Sequence, residues 1–218
     1  AAHELRTPMV SVFGFTELLL RRPVDEERRR DMLTTIHRQA SLLINMVNEL
    51  LDLARIEARQ GKDMKPEACS LGRLLELAMA PFQAHGADRL HVVLDHADAQ
   101  LWDDPEKMNR VFGNVVSNAF KYSPDGGEIE VRTIDGLLRG SPAVGVRVHD
   151  HGIDMSPDQL RRVFERFYRA DPSGNIPGTG LGMSLVKEIT ELQDGQVQID
   201  SVFGQGTTVT LWFPLLAE

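Results

Sequence analysis

The sequence predicts an α+β fold in two parts: an antiparallel helical hairpin over residues 1–62, forming a four-helix bundle from two chains, then an α/β sandwich over residues 63–218. Three observations predict it. Up to about residue 60 the apolar positions form a seam that alternates steps of three and four. From about Met64 the period switches, and short stretches of period two appear among helical ones. Strands and helices do not alternate as a βαβ repeat, so a mixed sheet with helices on one face is expected.

The first helix carries Leu5, Val12 and Leu19 on its seam, with Pro8 and Phe15 between them. Arg21-Arg22-Pro23-Val24 breaks the pattern and reads as the connecting loop. A second helix runs from about Asp25 to Gln60, with Met32, Ile36, Leu43, Met46, Leu50 and Leu53 on its seam; Gly61 suits a cap and Pro66 prevents a return to helix. A hairpin cannot bury so long a seam alone. A second chain is the simple solution, and packing on the downstream domain is the alternative. Further on, Leu71–Ala80 reads as a helix, His91–Leu94 as a short strand, and Pro105–Tyr122 as a strong helix with proline in its first turn. Pro124-Asp125-Gly126-Gly127 is a turn feeding a strand with Ile129 and Val131. A second strand holds Val144, Val146 and Val148; Leu181–Leu192 is helical. The end is a hairpin, with Val197 and Ile199 on one arm, Val209, Leu211 and Phe213 on the other, and Gly204-Gln205-Gly206 at the turn.

Composition narrows the function. A net charge of −8 and a pI near 5.4 argue against nucleic acid or an anionic membrane as the main partner. A single cysteine, Cys69, cannot make an internal disulfide, which suits a reducing cytoplasm. No run approaches the ~20 apolar residues of a membrane span. Ala1-Ala2-His3 opens inside a helical pattern with no initiator methionine, so the chain reads as a fragment, and any membrane contact belongs to other parts of its parent.

Four constellations carry chemistry. In His3-Glu4-Leu5-Arg6-Thr7-Pro8 the histidine lies about 200° from Leu5, pointing away from the seam. Glu4 can accept a proton from one ring nitrogen and so raise the nucleophilicity of the other; Thr7 shares the face one turn on, and Pro8 should bend the helix. A lone surface histidine is usually structural, but one with a carboxylate, a hydroxyl and a proline so placed is less ordinary. In Asn114–Tyr122 the two amides of Asn114 and Asn118 share a helix face with Lys121, offering hard oxygen ligands and a point charge; alone, the pattern is a solvated face. Asp150-His151-Gly152 ends an apolar strand, where a carboxylate can accept from a buried amine, or simply make a turn. Gly178-Thr179-Gly180-Leu181-Gly182 opens a helix, whose N-terminus favours anions; it follows no strand, so it is neither a Rossmann turn nor a Walker loop. His37, His85, His91, His96, His149 and His151 show no metal-ligand spacing.

HELRTP, the Asn/Lys helix, DHG, FERFYR (Phe164–Arg169), GTGLG and GQGTT, in this order, resemble the sensor histidine kinases of two-component signalling across essentially the whole chain. The resemblance implies a dimerisation and phosphotransfer hairpin followed by an ATP-binding sandwich of the Bergerat type, shared with Hsp90-like and gyrase-like ATPases. It makes His3 the phosphoacceptor, Glu4 its general base and Thr7 the residue that positions water for dephosphorylation of the partner. Asn114 would hold Mg²⁺ with Asn118 beside it, Lys121 and Arg169 would contact phosphates, and Tyr122 would lie near the nucleotide. Asp150, followed by Gly152, would read adenine with Thr207 nearby; Gly178, Gly180, Leu181 and Gly182 would form the phosphate-side loop; Met155–Pro177 would be a mobile lid. The implied activity is ATP-dependent autophosphorylation of His3 and transfer to an aspartate of a response regulator, in a homodimer.

One position departs from the pattern. The family's D-x-G-x-G appears as Asp150-His151-Gly152-Ile153-Asp154. A carboxylate about 4 Å from a triphosphate oxygen would cost on the order of 1–4 kcal/mol. Two readings follow: an active kinase, or an ATP-impaired core that serves as phosphatase or phosphotransfer scaffold. A chaperone- or topoisomerase-like ATPase has no use for the HELRTP hairpin.

Overall fold

The computed structural model describes residues 2–59, 61–124, 126–171 and 176–216. Two helices, α1 (Ala2–Arg21) and α2 (Glu26–Arg59), form the hairpin, with the turn at the expected residues. The helix α1 continues through Pro8, which lies buried against its neighbour. Gln60, the expected end of the second helix, lies outside the described residues. Most seam positions are only half-buried, and Met46 is the buried one at mid-helix. Towards the end of α2 the seam changes partner: Leu53 and Ile56 are buried within the core of the sandwich. Thus the downstream end of the seam follows the alternative reading, while upstream α1 and α2 pack on each other and leave the seam half-buried.

The sandwich is built from β1 (Glu67–Ser70), α3 (Leu71–Gly86), a 3₁₀ turn at Ala87–Arg89, β2 (Leu90–Val93), β3 (Gln100–Asp103), α4 (Pro105–Tyr122), β4 (Ile129–Leu138), β5 (Ser141–Asp150), α5 (Pro157–Arg162), α6 (Gly182–Leu192), β6 (Gln196–Val202) and β7 (Gly206–Pro214). Five strands form a sheet in the order β2-β4-β5-β7-β6, parallel only between β2 and β4, so the sheet is mixed as expected. A two-stranded antiparallel ribbon of β1 and β3 stands apart, and neither strand is legible in the sequence. The helix α3 runs to Gly86 rather than stopping at Ala80 before Pro81. Its buried face, with Leu71, Leu74, Leu75, Ala78 and Met79, outweighs the hydrogen bond that proline removes.

Helices α3, α4 and α6 cover one face of the sheet around a single core. There Phe112 meets Phe213 edge to face at 5.8 Å, and each such buried ring contributes about 1.5–3 kcal/mol. The central helix is fixed at its start by Asp104, whose Oδ1 accepts from the backbone N–H of Glu106 and Lys107 at 3.0 and 3.1 Å. Its Oδ2 accepts from Lys65 N–H at 2.9 Å, tying the hairpin's exit to the same point. At the other end of α4, Arg89 donates to the carbonyls of Ser123 and Gly127, both at 2.9 Å. These anchors hold one polar face of α4 towards the ends of β5 and β7.

Candidate functional site

That face forms one wall of a cleft. Asn114, Asn118, Lys121 and Tyr122 line it from α4; Asp150 and Thr207 from β5 and β7; Gly178, Gly180 and Gly182 from the loop into α6; and Asp154 from the segment after β5. The helical spacing of the two amides and the lysine therefore brings them together on the cleft, rather than on a solvated face. Gly152 and Leu181 support the lining from behind. Gly152 N–H donates to Asp150 Oδ1 at 2.9 Å. Leu181 is buried, and its N–H donates to Thr179 Oγ1 at 3.2 Å.

One end of the cleft is built to accept. Burial pushes the Asp150 carboxyl up, opposed by the Gly152 N–H and by the Ser123 hydroxyl, which donates at 3.4 Å. Two glycines permit this packing. A Cβ on Gly152 would stand 2.2 Å from the Tyr122 carbonyl oxygen, and one on Gly206 (φ +89°) 1.8 Å from that of Asp150. Tyr122, whose phenol burial pushes up, is thereby held against the end of β5.

The other end is built to meet an anion with a cation. Asn114 Nδ2 is buried with no hydrogen-bond partner, and Arg169 Nε likewise. Arg169, expected at the phosphates, is not among the residues that line the cleft; its guanidinium donates to the Ile176 carbonyl, in the segment after FERFYR. Burial pushes the Lys121 ammonium down, partly offset by the carboxylate of Glu49. A hard cation with phosphate oxygens fits this donor set: amide oxygens, an ammonium and the unspent Asn114 N–H beside Gly182 of the glycine loop.

Glu49 is the residue the sequence reading missed. It comes from α2, lines the cleft and accepts from the Thr179 hydroxyl. Its neighbours on the same face of α2 dock too: Asp52 pairs with Arg110, and Glu57 with Arg166. That pairing holds the Glu57 carboxyl below the usual carboxylate range. Met155, Tyr168, Asp171 and Pro177 of the expected lid also line the cleft; residues 172–175 of that lid lie outside the described residues.

Asp154 lines the cleft, with its carboxylate held by backbone N–H groups. Among the described residues, positive φ outside glycine occurs only at Arg139, Phe167 and Asp194, so Asp154 carries no left-handed strain. Its Oδ2 accepts from Gly204 N–H at 2.6 Å and its Oδ1 from Gly206 N–H at 3.0 Å. Both oxygens are engaged by the β6–β7 turn.

His3, Glu4 and Thr7 lie on α1, apart from the cleft lining. The His3 side chain is 83% exposed, with Nδ1 3.6 Å from Glu4 Oε1. The Thr7 hydroxyl donates to the His3 carbonyl at 3.3 Å.

Residues 1–59 match the His Kinase A (phospho-acceptor) domain, and residues 103–217 match the histidine kinase-, DNA gyrase B- and HSP90-like ATPase family. The chain is 38% identical over 218 residues to the phosphate regulon sensor protein PhoR of Pseudomonas aeruginosa, covering 97% of this chain and 48% of that protein. It is 29% identical over 222 residues to the sensor histidine kinase WalK of Bacillus subtilis, covering 100% of this chain and 36% of that protein. Among solved structures it is similar to the Acinetobacter baumannii histidine kinase AdeS, with a TM-score of 0.76 at 20% identity, covering 99% of this chain and 98% of the other. The chain thus spans about half the length, or less, of these curated relatives. Both halves match in the order that the hairpin and the cleft occupy, and the second match alone takes in more than half of the chain: it belongs to the sensor histidine kinases of two-component signalling, and what it spans is their catalytic core.

Proposed function

We propose that this chain binds ATP in the cleft, phosphorylates His3 and passes the phosphoryl group to an aspartate of a response regulator. The observation that carries the reading is the polarity of the cleft. A buried acceptor, Asp150 with Thr207 beside it, stands at one end, and Lys121 with the unspent Asn114 Nδ2 at the other. Adenine has an amine to give, and a triphosphate has charge to neutralise. Asn114, with Asn118 beside it, would hold Mg²⁺, which screens phosphate charge when bound. His3 is free to attack the terminal phosphorus from a ring nitrogen; the bond to the bridging oxygen breaks, ADP leaves, and the imidazole proton passes to Glu4. Because the cleft does not include His3, the sandwich must move relative to α1 or serve the histidine of a second copy. The half-buried seam of the hairpin supports a homodimer.

Incubation with γ-labelled ATP and Mg²⁺ tests the reading. Label should be acid-labile and base-stable, as a phosphoramidate is, and absent from His3→Gln. Label that persists in that variant would overturn the assignment. In the same assay Thr7→Ala should keep its label but lose dephosphorylation of the response regulator, since the Thr7 hydroxyl can orient water one turn from His3 but is not needed for attack on ATP. Equal loss of both activities would refute that division. The ATP-impaired scaffold remains the second reading, because Asp154 lines the cleft while its oxygens accept from the β6–β7 turn.

A further inference from the structure

The end of the cleft that should receive phosphates already holds an anion. Glu49 reaches it from α2, accepts from the Thr179 hydroxyl within GTGLG, and supports the charge on Lys121. The contact belongs to a longer docking face. One helical turn on, Asp52 pairs with Arg110 and Leu53 enters the core; beyond them Ile56 is buried and Glu57 takes Arg166. The sandwich is therefore clasped to α2 at two of its loops: Arg166 lies in FERFYR within the expected lid, and Thr179 just after that lid.

We infer that Glu49 is a specificity-determining residue that makes the docked core favour ADP over ATP, by placing a carboxylate where the terminal phosphate must sit. The inference rests on the proposed nucleotide site and adds α2 to it. A triphosphate brings its last charge to Lys121 and the glycine loop, where Glu49 repels it. A diphosphate stops short of that charge, and adenosine brings none. Linkage makes the effect reciprocal: ATP loosens the Glu49–Thr179 contact, and a core that has given up the phosphoryl group and retains ADP docks again. The nucleotide's own charge then couples the state of the site to release of the sandwich from α2, the movement that reaching a histidine on α1 requires.

The test is calorimetry of ATP, ADP and adenosine with Mg²⁺, on the whole chain and on Glu49→Gln. The amide keeps an acceptor for Thr179 and removes the charge. ATP should bind about tenfold tighter to Glu49→Gln, ADP less than threefold tighter, and adenosine equally well, which also shows that the variant is folded. The ATP gain should shrink at high salt. An unchanged ATP-to-ADP ratio, or an equal gain for all three ligands, overturns the role given to Glu49. Failure of the unmodified chain to bind any of the three would instead overturn the nucleotide site itself, and the inference with it.

Discussion

The hairpin and the sandwich solve the same problem of burial with opposite completeness. In the sandwich, Phe112, Leu75, Leu101, Met108, Ile129, Leu185, Ile189 and Phe213 are all essentially inaccessible. In the hairpin, large apolar side chains stay in the open: Phe13 is 68% exposed, Val10 62% and Ile44 61%. The sandwich is complete within one chain apart from the patch that α2 covers with Leu53 and Ile56. The hairpin is half of something. The proposed phosphotransfer would need a rigid site that holds its geometry and a helical element that can rearrange, and this distribution of burial suits both.

Breaking the open half should have the largest effect. Phe13→Asp places a charge on the exposed stripe in both copies of a dimer, removing roughly 3–6 kcal/mol of apolar burial. Light scattering should report about twice the 24.4 kDa chain mass for the unmodified protein and the single mass for the variant. A dimer that survives this substitution would place the interface elsewhere.

The closed half has its own tension, at Asp103. This residue is 2% exposed, its Oδ2 has no partner, and burial, with Asp104 and Asp194 nearby, pushes its carboxyl up to about 7. The folded chain therefore holds a proton that the unfolded chain, with an ordinary carboxyl near 3.8, releases sooner. Stability contributed by protonated Asp103 is full below about pH 4 and falls as the pH rises through 7. Asp103→Asn should remove that slope and stabilise the chain at pH 8 by about 2–4 kcal/mol. Urea unfolding at pH 5 and 8 decides it; a variant with the same pH slope as the parent shows that another group is responsible. Among its described residues the hairpin carries no such buried carboxylate, so the gain should lie in the sandwich.

The same division governs what could be read in advance. Local signals were sufficient where one segment carries its own instructions. Pro105 in a first turn and the apolar run to Tyr122 place α4 to the residue, and GTGLG and DHG each supply residues to the cleft. The four-residue strands β1 and β3 were invisible because so short a run shows no period. The six-residue α5 has a capping box, Ser156 with Gln159, that could have revealed it. Glu49 had no local signal at all. It sits beside the seam residue Leu50 like any polar helix residue, and its meaning comes from Thr179, 130 positions away.

Asp154 teaches the same lesson on the smallest scale. Read from sequence, its charge opposes a triphosphate, and Asp154→Gly should then tighten ATP by about tenfold while leaving adenosine nearly unchanged. The geometry of the carboxylate offers a second account. Each carboxylate oxygen accepts from a backbone N–H of the β6–β7 turn, and Gly206 of that turn lies against the Asp150 carbonyl. Losing the clamp frees the turn that carries Thr207, so the damage falls on the adenine end, which all three ligands share. Asp154→Gly should therefore weaken ATP, ADP and adenosine alike, by about threefold, close to the net worth of one hydrogen bond at a partly exposed site. Calorimetry with the three ligands separates the accounts. Parallel weakening supports the clamp, whereas a gain confined to ATP returns the carboxylate to the phosphates and restores the ATP-impaired reading of this core.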